Sequence, residues 1–99
     1  MSLHLQRDLE TLKKELLQLG NLVESAINAA IQSLHNREPA LAERVLQIEF
    51  EINEKEVYIE EECLKMLALH QPVAVDLRFI VAVLKVDNDL ERMGDFAKN

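Results

Sequence analysis

Asp87, Glu91, Asp95 and Asn99 recur at intervals of four near the end of the 99-residue chain. On an α-helix, positions four apart lie nearly above one another and ~6 Å apart along the axis. The four side chains would then form one stripe of oxygen donors. Like charges at this spacing repel by roughly 0.2–0.5 kcal/mol per pair, so the stripe calls for water or a cation. Glu91 and Asp95 are the leading candidates for a metal pair, and Asp87 and Asn99 extend the same line. Hard oxygen ligands suit magnesium, manganese or calcium, and carboxylate-rich helical sites also hold iron or zinc. On spacing alone, the plainer reading is a solvated acidic face partly neutralised by Arg92 and Lys98. Asp89 points roughly 160° away from Glu91 and is read as surface or as a contact behind the pair.

The stripe requires a helix beneath it. Residues 76–99 read as one, although Phe79–Leu84 alone would pass for a buried strand. Length decides, because strands seldom exceed about ten residues and the chain offers no second strand-like run to pair with. Phe79–Leu84 is apolar all round, which one bundle cannot fully bury, so part of it is expected to meet another chain or repeat. Gly94 falls on the seam between Leu90 and Ala97. There it either admits a neighbouring helix closely or is silent.

Two further helices must hold this one. Leu5, Leu9, Leu12, Leu16, Leu19, Val23, Ala26, Ala30 and Leu34 keep a heptad seam over residues 4–35. Leu17, Leu22, Ile27 and Ile31 widen it, which predicts packing against more than one neighbour. Gly20 costs roughly 1 kcal/mol against alanine inside a helix, and predicts a close crossing or a slight bend. Pro39 suits the first position of the next helix, where its missing N–H is not needed. That helix spans about 39–69, on a seam of Leu41, Val45, Ile48, Ile52, Ile59, Cys63 and Met66. Lys55 interrupts the seam, and its stem is expected to snorkel to the edge. Nine glutamates from Glu38 to Glu62 read as a solvated face, or as a docking face for a basic partner. Pro72 ends the helix near His70, and the third helix starts between Val73 and Asp76. The fold class is all-α, an antiparallel up-down-up three-helix bundle with helices at about 4–35, 39–69 and 74–99.

Composition narrows the function. A net charge of −7 argues against duplex DNA and against direct binding to anionic lipid. Cys63 is the single cysteine, which excludes an internal disulfide and a thiolate metal cluster; it is expected to be a buried small hydrophobe. No signal peptide and no membrane-spanning run is evident, so a cytoplasmic home is the default expectation. His4, His35 and His70 share no ligand spacing and are read as surface. No Gly-rich phosphate loop or Ser-His-Asp set occurs. The Glu-x-x-His pairs of di-iron bundle enzymes are also missing, so no enzyme is expected.

Gln71-Pro72, Asp76-Leu77-Arg78 and Asp89-Leu90-Glu91-Arg92-Met93-Gly94-Asp95 together resemble the PhoU family of bacterial phosphate-signalling proteins. That family carries a QP turn, a DLR helix start and an LERIGD-type signature; Met93 stands where isoleucine is usual. The resemblance implies a non-enzymatic adaptor linking a phosphate ABC transporter to a sensor histidine kinase. It also implies metal at Glu91 and Asp95, and near relatives that serve simpler phosphate permeases. Family members hold two three-helix repeats in tandem and draw ligands from both. This chain resembles the first repeat, and its last helix shows no stop signal, so a truncated piece or a half-length member is expected. A complete site then requires either a second repeat or a symmetric homo-oligomer. The alternative is a generic helical scaffold with an acidic surface.

Overall fold

The two prolines and the heptad seams produce three long helices, described for residues 3–98, and for side chains 4–95, in a computed structural model. Helix α1 spans Leu3–Asn36, α2 Pro39–His70 and α3 Ala74–Lys98. They run up, down and up in a rod of 52 × 17 × 15 Å, in agreement with the expected fold. Pro39 opens α2. Each preceding helix closes on a left-handed residue. Arg37, at φ 55, donates its N–H to Ser33 O at 2.8 Å, and Gln71, at φ 44, donates to Leu67 O at 3.2 Å. Such left-handed closures satisfy carbonyls that a helix end would leave open.

The core is the stacked seams. Leu5, Leu9, Leu12, Leu19, Val23 and Ala26 of α1 meet Ile48, Ile52, Ile59, Cys63 and Met66 of α2 and Ile80 and Val83 of α3. Several side chains expected inside lie outside. Leu17, Ile31 and Leu34 are exposed, whereas Leu22 and Ile27 are half-buried. With two neighbours, α1 can cover only a limited arc of its circumference, and Leu17 and Ile31 fall beyond it. Gly20 is not at a close crossing, because nothing lies within 4 Å of where its Cβ would be. Within Phe79–Leu84, Ile80 and Val83 are buried, Phe79 and Leu84 half-buried, and Val81 and Ala82 exposed.

Two α2 side chains, Lys55 and His70, make the polar contacts that tie α1 to α2. The Lys55 ammonium reaches the half-exposed edge between the helices, where it pairs with Glu15 and donates to Gln18 Oε1 at 2.9 Å. His70 is not a free surface histidine, since its Nε2 lies 3.1 Å from Asp8 Oδ2. His4 and His35 are exposed as expected. No described helix is long and apolar enough to cross a membrane.

Candidate metal centre between the second and third helices

The inward seam of α3 is Ile80, Val83, Asp87, Leu90 and Gly94, in steps of three and four. Asp87 therefore occupies a core position in a helix whose other seam residues are apolar or glycine. It is 1% exposed, and neither carboxylate oxygen has a hydrogen-bond partner. A buried carboxylate without partners is costly in its charged form.

Gly94 explains how α2 and α3 come so close just past this point. A Cβ there would sit 2.9 Å from Ile52 Cδ1 and 3.3 Å from Glu49 Oε2. The close-approach reading of Gly94 thus holds. Seven residues advance a helix by nearly two whole turns, so Gly94 stays on the side of Asp87.

Four residues advance it by about 400°, an overshoot of roughly 40° per step. The predicted stripe consequently winds out of the bundle. Asp87 is buried, Glu91 half-buried and Asp95 exposed, and Asn99 lies outside the described residues. The structure brings Asp87 and Glu91 to one acidic cluster and turns Asp95 toward solvent. Asp89 is exposed, as expected.

The rest of the cluster comes from α2. Burial first, and then the carboxylates of Glu56, Glu60 and Glu91, together push the Asp87 carboxyl from an ordinary 3.8 up to about 7. Glu56 is raised by burial first, then by Glu60 and Glu91. Cys63, fully buried beneath them, has its thiol pushed up to about 11 by burial and then by Asp87. It is the buried small hydrophobe the sequence suggested.

The donor set is all carboxylate, which is the chemistry of a hard cation. Two buried Asp87 oxygens without a hydrogen-bond partner, with three glutamates close enough to shift its protonation, make charge here costly unless a proton or a cation offsets it. As the side chains stand, no three described His, Cys, Asp or Glu residues converge tightly enough to hold an ion. Coordination would need Glu56, Glu60 or Glu91 to turn inward, and Glu56 and Glu91 are half-exposed while Glu60 is exposed, so each has room to do so. The sequence reads Glu56 and Glu60 only as part of the glutamate-rich solvated or docking face of this helix. The available signal was their own spacing of four, repeated on the helix that must pair with α3.

Comparison with known proteins follows the same outline. The PhoU domain profile matches residues 16–99. The phosphate-specific transport system accessory protein PhoU of Serratia marcescens is 40% identical over 91% of this chain and 37% of its own length. The PhoU homolog of Aquifex aeolicus is 42% identical over 94% of this chain and 42% of its own length. The crystal structure of PhoU from Pseudomonas aeruginosa superposes with a TM-score of 0.90 at 42% identity, covering 94% of this chain and 44% of that one. The chain thus spans about two fifths of the length of these relatives, the first two of which are named phosphate-specific transport system accessory proteins. A profile matched across more than four fifths of the residues, on a bundle of the same shape, places this chain in the PhoU family.

Proposed function

We propose that this bundle serves a regulator of phosphate uptake and phosphate-starvation signalling, as a helical adaptor between a phosphate ABC transporter and a sensor histidine kinase. The observation that carries the reading is roughly 40% identity across nine tenths of the chain to proteins named as accessory to phosphate-specific transport. An acidic three-helix rod offers long faces for docking, which suits an adaptor.

Within that role, Asp87, Glu91 and Asp95 of α3, with Glu56 and Glu60 of α2, would hold a divalent or trivalent cation such as iron, zinc, manganese or magnesium. The cation would neutralise charges that otherwise repel across the α2–α3 seam and so stiffen the docking-competent bundle. Asp95 joins only at the outer edge, where a second repeat or a partner subunit could complete the shell. The test is the double substitution Glu91→Ala/Asp95→Ala, alongside Asp87→Asn, in the full-length protein. Expected results are loss of stoichiometric metal by mass spectrometry and constitutive expression of a phosphate-starvation reporter in high phosphate. Retention of both metal and repression in all variants would overturn the site.

A further inference from the structure

Helix α2 carries eight glutamates against Arg44, Lys55 and Lys65, which leaves it with five of the seven net negative charges of the chain. The cluster around Asp87 uses only its inward edge. On its outer side, Leu46, Phe50, Val57 and Leu64 are 55%, 64%, 48% and 54% exposed. Their spacings of four, seven and seven keep them on one side of the helix, in the register of a helix–helix seam with no helix on it. Beside Phe50 and Val57 lies an open groove of about 400 Å³ floored by Asn53 and Tyr58 and edged by Glu54 and Glu61. Glu43, also exposed, extends that edge at the same register, eleven residues before Glu54.

We infer that this outer face of α2 is a docking surface for a basic amphipathic helix of a partner protein. The apolar ridge would take the partner's apolar stripe, and the carboxylates of Glu43, Glu54 and Glu61 would pair with Lys or Arg flanking that stripe. The charge selects the occupant. A second copy presenting the same face would set glutamate against glutamate, a juxtaposition that costs affinity. An anionic lipid surface would be repelled for the same reason. Of the three bases on α2, Lys55 is engaged with α1 and Lys65 lies 3.7 Å from Glu62, so the edge remains acidic.

The inference rests on the adaptor reading and specifies the partner's chemistry. Its test reads docking directly, so its failure would leave the reporter experiment above standing. A fluorescent peptide of about three heptads, leucine on one face and lysine on its flanks, is titrated into the full-length protein by anisotropy. Binding is expected to weaken at least tenfold in Phe50→Ser/Val57→Ser. A similar loss, with a shallower salt dependence, is expected in Glu54→Lys/Glu61→Lys. Circular dichroism should show both variants folded, since all four positions are exposed. A peptide of the same composition scrambled to break its apolar face should bind at least tenfold more weakly than the intact one. Equal binding of the scrambled peptide, unchanged binding by the folded variants, or no binding at all would overturn the inference. So would sedimentation showing self-association that Phe50→Ser/Val57→Ser abolishes, because the occupant would then be a second copy.

Discussion

The α1–α2 and α2–α3 seams share one apolar logic and treat buried charge in opposite ways. Where α1 meets α2, Lys55 finds Glu15 and Gln18, and His70 finds Asp8. Each polar group there has a partner of complementary character, and the contacts fix the relative height of the two helices. Where α2 meets α3, Asp87 is buried deeper than any of them and faces Glu56, Glu60 and Glu91. Burial with a partner organises a fold, whereas burial among like charges costs stability. The second arrangement, next to a glycine-tight crossing, is the observation on which the proposed cation site rests.

The contrast can be broken at three points. The largest effect is expected at Gly94, where any Cβ must displace Ile52. Gly94→Val should destabilise the protein by about 3 kcal/mol in urea unfolding, since overpacking and a β-branched helix residue act together. Asp87 comes next, with the opposite sign. Its folded carboxyl titrates near 7 against an ordinary 3.8, so between those values the native state holds a proton that the unfolded chain has released. Stability of the metal-free protein should therefore fall as pH rises from about 4 to 7 and level off above. Asp87→Asn should flatten this slope and stabilise the metal-free protein at pH 8 by about 2 kcal/mol, measured by denaturant midpoints across pH. The smallest effect belongs to the paired seam. Lys55→Ala should destabilise by about 1 kcal/mol, partly recovered in the double variant Lys55→Met/Glu15→Gln. Removing a charge thus helps at one seam and hurts at the other.

Much of this fold was legible in the sequence because it depends on local pattern. Leu5 through Ala26 and Val45 through Met66 step as seams must, and Pro39 and Pro72 punctuate them. The departures arise where a neighbour decides. Lys55 and His70 look like surface residues until α1 supplies Glu15 and Asp8. Leu17 and Ile31 look like core until the count of neighbouring helices runs out. The acidic stripe differs in burial along its length for a geometric reason. Counting by fours kept Asp87, Glu91 and Asp95 together, while the true period turned them from core to solvent. Counting from Ile80 by three and four would have put Asp87 on the buried seam with Leu90 and Gly94. The part taken by Glu56 and Glu60 depends on the register of α2 against α3, which no single helix encodes.

The central claim is that Asp87 sits in the core among carboxylates without a hydrogen-bond partner, and the proposal is that a cation binds there. The most direct measurement is the pH titration of its side-chain carboxyl by ¹³C NMR, first in metal-free protein and then with saturating zinc. The account predicts a midpoint near 7 without metal and a marked fall once zinc occupies the cluster. A metal-free midpoint near the ordinary value of 3.8, or one near 7 that zinc leaves in place, would contradict it.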